Sequence, residues 1–389
     1  MTINKVRLKK LPAILFIEED NSLLLFEPRG ELVTVSPLTT IILLTCEKKG
    51  VLADNLQHLS DQLTIPLESI NEEYSKLLAT FSGGKGEDSY LDGRYPELDI
   101  ELDKTVTAPS ELSHYLLIAG SGFLIDTNCK VLSRAIQHIL APLISSYCPP
   151  DFFLEVIHLD GFYHIHSNGI LAVKHLSYEE VMPELVDRLQ IVSYQATPYL
   201  FCFHGAAIQQ GQSIYLLPGE SGKGKSTLCA EIQNSNSTTF SDEFIVLDEE
   251  LNLTEIKLPL AIKSGSWEQL SGKYPCLKEE QEWRRLDGRL IKYVWPINRD
   301  KENNVTKVAK VHIIFPQFGV DLDDKGASLT KLTVVDTIQL LTRGGYQLSA
   351  DLDELTLDKL FSYIENSTRM SLSYSSTSQA LKALGLPDE

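Results

Sequence analysis

The spacing of apolar residues along this chain changes period several times, and each change marks a new kind of element. Residues 22–26 and 31–36 read as two strands, with Pro28, Arg29 and Gly30 between them as a hairpin signal. Three stripes at helical spacing follow: Leu38, Ile41 and Ile42; then Leu52, Leu56, Leu59 and Leu63; then, opened by Pro66, Ile70, Tyr74, Leu77 and Phe81. A hairpin with three short helices predicts a small winged-helix domain over residues 1–82. The glycine-rich run after Phe81, from Ser82 to Asp88, predicts a flexible linker, placed at 83–96.

Beyond the linker, strand-like stretches at 116–126, 152–158 and 162–166 alternate with helical ones at 131–145 and 178–192. Residues 97–200 are therefore expected to form an α+β region leading into a core over 201–389. His164 and His166 share a strand face, but with His158 they lack the acids or cysteines of a metal site, and they read as exposed strand residues. In the core, residues 213–217 form a short apolar strand, Pro218 stops it, and residues 227–232 continue as a helix. Residues 240–247 read as another strand, with Asp242 and Glu243 near its start. Helices are expected at 334–343 and 353–366 as structural parts of the core. The fold class is α/β and α+β.

Composition narrows the function. The chain has 389 residues, 43% of them hydrophobic, enough for two or three domains with real cores. Its formal net charge of −18 argues against nucleic-acid partners, whose phosphates demand basic patches. No run approaches the roughly 18 apolar residues of a membrane span, and the first residues have no signal-peptide pattern, so a cytoplasmic protein is expected. Six cysteines lie scattered without C-x-x-C spacing, which points to free thiols; Cys229 reads as buried.

The sharpest chemistry lies between strand and helix. Gly219, Glu220, Ser221, Gly222, Lys223, Gly224, Lys225 and Ser226 complete a G-x-x-x-x-G-K-[ST] phosphate loop, followed by Thr227. Glycines let such a loop turn successive N–H groups toward phosphate oxygens, and the helix N-terminus adds positive potential. Lys225 is placed for the terminal phosphates and Ser226 for Mg²⁺. Asp242 follows Lys225 by 17 positions, one helix and one turn away. An acid there can accept a proton from a substrate hydroxyl while its neighbour holds the metal, a division of labour that suits a kinase.

His204-Gly205-Ala206-Ala207, the 219–227 loop and Ser241-Asp242-Glu243-Phe244 together resemble the HPr kinase/phosphorylase superfamily, in particular its HprK-related kinase A branch. The resemblance continues through residues 258–263, 313–316 and 370–374. It implies a P-loop kinase core related to the phosphoenolpyruvate carboxykinase nucleotide domain. Mg-ATP would be the donor and a serine or similar hydroxyl the acceptor. Asp242 would be the base, Lys225 and His204 would lie at the phosphates, and Glu243 with Ser226 would serve the metal. The pair is Asp-Glu where true HPr kinases carry two aspartates, their later signature segment is missing, and Gln317 replaces an expected basic residue. Lys263 is a candidate phosphate contact. In the charge-rich stretch 273–289, Arg284, Arg285 or Arg289 can steady a transferring phosphoryl group; otherwise the stretch is a solvated loop.

By its hairpin-and-helices pattern the N-terminal region resembles the PqqD-like peptide-recognition fold, whose relatives bind a precursor peptide as an added strand. The combined expectation is a kinase acting on a peptide or protein recruited by residues 1–85, with homo-oligomers allowed and no nucleic-acid or membrane partner. Two alternatives stand beside it: a nucleotide-regulated peptide chaperone or adaptor without transferase activity, and a small-molecule kinase for free serine or a sugar.

Overall fold

Two apolar runs, residues 13–16 and 23–26, contain no polar position at all. Such runs belong to strands covered on both faces. The computed structural model describes residues 3–9, 11–27, 30–82, 112–146, 148–234, 237–297, 310–319, 326–348 and 352–386. The expected linker at 83–96 and the turn residues Pro28 and Arg29 lie outside them. The chain divides into two units, one of Met1–Gly93 with Lys331–Arg369, the other of Arg94–Thr330 with Met370–Glu389. The fold is mixed α/β.

In the first unit, strands Asn4–Arg7, Ala13–Glu18, Asn21–Phe26 and Glu31–Val35 form an antiparallel meander in chain order. The expected hairpin is its second half; the first two strands were not foreseen. Leu15, Leu24 and Val35 bury one face together with Leu43. On the other face, Phe16 meets Phe361 edge-on, with ring centroids 4.8 Å apart. The three expected helices are Pro37–Cys46, Leu52–Leu63 and Leu67–Ser82, joined through Ile42, Cys46, Leu56, Leu59 and Ile70. Ser36 caps the first by accepting the Thr39 N–H at 3.0 Å, and Pro37 fits the first helical position.

Helices Val334–Gly344 and Glu354–Glu365 form where the sequence places them, but in this first unit rather than with the 201–389 core. The former packs on strands Ala13–Glu18 and Asn21–Phe26. Its start carries a reciprocal cap between Thr333 and Asp336. Helical periodicity shows that a face is buried, and is silent on which sheet buries it.

The second unit carries a six-stranded sheet in the order Ile170–Leu176, Phe162–Ser167, Phe152–Leu159, Ser121–Thr127, His114–Ile118, Ile144–Ser145. The single stretch expected over 116–126 is two strands, because Ala119 and Gly120 turn with φ of 49° and 83°. Positive φ at both positions matches the twist of a two-residue hairpin. The helix expected over 131–145 is Lys130–Ile139; a 3₁₀ turn at Ala141–Leu143, containing Pro142, ends it. That helix and Tyr178–Ala196 share a core with the sheet through Phe123, Leu154, Ile165, Leu185 and Leu189. The same core runs on through Cys202, Val246, Trp283 and Tyr293.

A second sheet runs Ser237–Ser241, Phe201–Gln210, Ser213–Pro218, Lys310–Phe318, Thr368–Tyr374, Ala327–Lys331, with Phe244–Leu247 also paired to Phe201–Gln210. Strand Ser213–Pro218 is parallel to Lys310–Phe318. A small sheet of Leu260–Lys263, Leu290–Val294 and Trp283–Arg284 packs on helix Lys225–Ile232 through Ala230, Leu260 and Ile262. Among the described residues no helix is long and apolar enough to cross a membrane.

Candidate functional site

The loop and the acid pair converge because strand Phe201–Gln210 serves both. On one side it pairs antiparallel with Ser213–Pro218, Gly205 opposite Pro218. On the other its first half pairs with Phe244–Leu247 and its second half with Ser237–Ser241. The single strand expected over 240–247 is thus broken at Asp242 and Glu243. Ser241 accounts for the break, since its hydroxyl lies 3.4 and 3.2 Å from the Glu243 and Phe244 nitrogens and offers those N–H groups an acceptor outside the ladder.

The Gly205 N–H donates to the Glu243 carbonyl at 2.9 Å, and the Gly219 N–H to the His204 carbonyl at 3.2 Å. A methyl group on Gly205 would stand 2.7 Å from the Leu217 oxygen and the Pro218 Cα. Only a glycine lets these backbones approach so closely.

Helix Lys225–Ile232 opens straight after the loop, whose Gly219, Gly222 and Gly224 have φ of 133°, 84° and 91°. A Cβ on Gly224 would strike the Tyr374 hydroxyl, while Gly219 and Gly222 border open space. The loop therefore surrounds a hollow, with the helix N-terminus at its floor. The Lys225 ammonium folds back over it, donating to the Gly219 and Glu220 carbonyls at 2.7 and 2.8 Å.

His204 joins loop to acids. Its Nδ1 donates to the Glu243 carbonyl at 3.1 Å and lies 3.5 Å from the Glu243 carboxylate, while Nε2 is 3.2 Å from the Lys225 ammonium. Burial, then the positive charge of Lys225, pushes its pKa down. A neutral ring protonated on Nδ1 satisfies both neighbours.

Asp242 is 7% exposed, and neither of its oxygens has a hydrogen-bond partner of standard geometry. Burial, and then the charge of Glu243, pushes its pKa up to about 8, although Ser226, Lys225 and Lys263 pull the other way. Lys225, 6% exposed, is pushed down to about 8 by burial. Burial and then Arg289 lower Lys263. The oxygens of Asp242, Glu243 and Ser226 are hard donors of the kind that suits Mg²⁺, and those of Asp242 lack a hydrogen bond of standard geometry. Among the described residues, no three His, Cys, Asp or Glu side chains gather as a metal site.

The charge-rich stretch splits three ways. Arg289 donates to the Ser221 hydroxyl of the loop at 2.8 Å. Arg285 donates to Asp187 at 2.6 Å and lies 3.8 Å from Glu243. Arg284 pairs with Glu179 at 2.8 Å on the exposed surface, apart from the loop.

Sequence reasoning missed Asp187, half-buried in helix Tyr178–Ala196. The available signal was an acid set three positions from Glu184 and flanked by the core positions Val186 and Leu189. A cavity of about 220 Å³ opens from the loop between Ser226, Thr227, Gln269, Phe318, Tyr374 and Thr377. Cys229 is fully buried on the helix behind the loop, and burial pushes its thiol up. No family model matches this chain, and no curated protein matches it.

Proposed function

We propose that this protein is a Mg²⁺- and ATP-dependent kinase that phosphorylates a serine or similar hydroxyl of a peptide or protein. The observation that carries the reading is a buried carboxylate whose oxygens have no hydrogen bond of standard geometry, set among the Ser226 hydroxyl and the charges of Lys225 and Lys263 beside the glycine loop. The residues present fit the group: loop amides and the helix N-terminus for phosphates, Ser226 and Glu243 for the metal, and the 220 Å³ cavity beside Phe318 and Tyr374 for the nucleoside. When bound, Mg-ATP supplies the phosphoryl group and a cation that neutralises its charge.

The chain's own residues do the rest. Lys225 leaves the Gly219 and Glu220 carbonyls to meet the terminal phosphates. His204, neutral, orients Lys225 through Nε2. Asp242 would accept the acceptor's hydroxyl proton as that oxygen takes the terminal phosphoryl group in line, with ADP as the leaving group. Without ligand its raised pKa keeps it mostly protonated near neutral pH, so Lys225 and Lys263, which already favour the charged form, matter for making it a base.

In the first unit, Asn4–Arg7 and Glu31–Val35 are the outer strands of the meander. An added peptide strand would pair there, in keeping with the resemblance of this region to PqqD-like domains.

Incubation with Mg-ATP and candidate peptides tests the reading. Asp242→Asn should retain ATP binding while transfer falls about 10²–10⁴-fold. Transfer at the wild-type rate removes Asp242 as the base. ATP and peptide binding by the wild type without any phosphorylated product favours the adaptor alternative.

A further inference from the structure

Five side chains form a continuous polar line from helix Tyr178–Ala196 to the glycine loop. Arg285 donates to Asp187 at 2.6 Å and approaches Glu243 Oε1 at 3.8 Å. Glu243 Oε2 stands 3.5 Å from His204 Nδ1, and His204 Nε2 3.2 Å from the Lys225 ammonium. Both oxygens of Glu243 are thereby flanked by cationic or N–H groups. Their orientation depends on where Arg285 is anchored.

That anchor is Asp187. Arg285 itself opens a tight turn, accepting the Gly288 N–H at 2.8 Å and donating its own N–H to Arg289 at 2.9 Å. The guanidinium at the end of so long a side chain is not fixed by its backbone alone. Asp187, in contrast, projects from a 19-residue helix whose Leu185, Val186 and Leu189 are core residues. The Tyr293 hydroxyl, buried and without a hydrogen-bond partner, feels the charges of Asp187, Arg285 and Glu243, which places it in the same enclosed group.

We infer that Asp187 is a positioning residue for the metal site, holding Arg285 so that its fork orients the Glu243 carboxylate without neutralising it. The inference rests on the kinase reading and on Glu243 as a metal ligand. Burial pushes Asp187 up to about 7 against the pull of Arg285, although the two side chains keep 28% and 21% of their surface exposed. Without the Asp187 charge, Arg285 keeps Glu243, Glu184 and Asp287 within electrostatic reach, and of these Glu243 is the one on this line toward the loop. A closer Arg285–Glu243 pair competes with a cation for the same oxygens. Outer-shell partners of ligating carboxylates act in this way on metal affinity.

The test is calorimetric binding of a non-hydrolysable ATP analogue to the full chain, with and without Mg²⁺. Asp187→Asn should require about tenfold more Mg²⁺ for half-maximal enhancement, with affinity for the metal-free nucleotide unchanged. A merely structural role would weaken both. Arg285→Lys should shift the Mg²⁺ midpoint in the same direction, because an ammonium cannot span two carboxylates; it serves as the second variant if Asp187→Asn folds poorly. Wild-type midpoints in both variants overturn the inference and leave the kinase reading standing. A wild-type protein whose nucleotide affinity ignores Mg²⁺ removes the kinase reading and this inference together.

Discussion

Two carboxylates, one in each unit, are almost equally buried and opposite in character. Glu18, 4% exposed in the first unit, accepts the Val335 N–H at 2.8 Å, at the start of the 11-residue helix Val334–Gly344. The unpaired amides and partial positive charge of a helix N-terminus suit an anion there. Asp242, 7% exposed in the second unit, has no hydrogen bond of standard geometry on either oxygen, while the Ser226 hydroxyl, Lys225 and Lys263 favour its charged form. Burial alone therefore does not separate a structural acid from a functional one. Satisfaction of its oxygens is the difference: the first joins a helix to a sheet, and the second, under the proposed reading, is left open for a ligand at a cost to the folded state.

The most severe way to probe the structural side is to delete residues 1–85. The deletion removes the whole meander on which helix Val334–Gly344 packs, and Phe16, which faces Phe361. Val335, Ile338, Leu357, Leu360, Phe361 and Ile364 are all buried in the intact chain. At about 1.5–3 kcal/mol for each fully exposed apolar side chain, even partial exposure approaches the roughly 5–15 kcal/mol that stabilises a domain. The truncated chain should lose the cooperative melting of this unit and aggregate. A soluble, well-folded truncation overturns the assignment of residues 331–369 to the first unit. The deletion therefore does not separate the proposed peptide recruitment from the proposed phosphoryl transfer, since it strips residues far along the chain.

That consequence marks what a sequence shows and what it does not. The glycine loop is legible because its glycines stand where φ must be positive, and the adjacent strand and helix follow from Pro218 and from apolar spacing. The acid pair is legible by position, but its break in the ladder depends on Ser241 turning inward. Asp187 is not legible, since its partner Arg285 lies on another element and only the fold joins them. Strand Asn4–Arg7 escapes notice because it is short, largely exposed and mostly polar. Helices Val334–Gly344 and Glu354–Glu365 show their apolar stripes plainly while hiding the sheet they cover.

A milder comparison sets Glu18→Ala against Asp242→Asn. The first orphans a buried N–H and should cost about 1–3 kcal/mol, read as a denaturant midpoint. The second replaces a buried carboxyl that burial holds in its protonated form with a neutral amide, and should cost little or stabilise, with a pH dependence of known sign. The folded-state pKa of Asp242 is raised from 3.8 to about 8, so the native state retains a proton that the unfolded chain releases. Its favourable contribution is complete below pH 3.8 and is lost as pH rises through about 8. Melting temperatures from acid to mildly alkaline pH should show Asp242→Asn gaining on the wild type as pH increases. Parallel curves would mean that Asp242 already has a partner in solution, and the contrast with Glu18 would fail.

The smallest effect is expected where the first unit has its most conspicuous charges. Arg7 pairs with Glu27 at 2.6 Å and with Glu354, while Lys5 pairs with Glu354 and Asp358. These contacts tie the meander to helix Glu354–Glu365, as Glu18 ties it to Val334–Gly344. Yet the Arg7 side chain is 55% exposed, and water competes for every one of its hydrogen bonds. Arg7→Ala should therefore move the melting temperature less than Glu18→Ala does. Its effect should shrink further in about 1 M salt, where screening acts within roughly 3 Å. An Arg7→Ala loss that exceeds Glu18→Ala and survives high salt would show that the exposed network, rather than the one buried carboxylate, fastens these helices to their sheet.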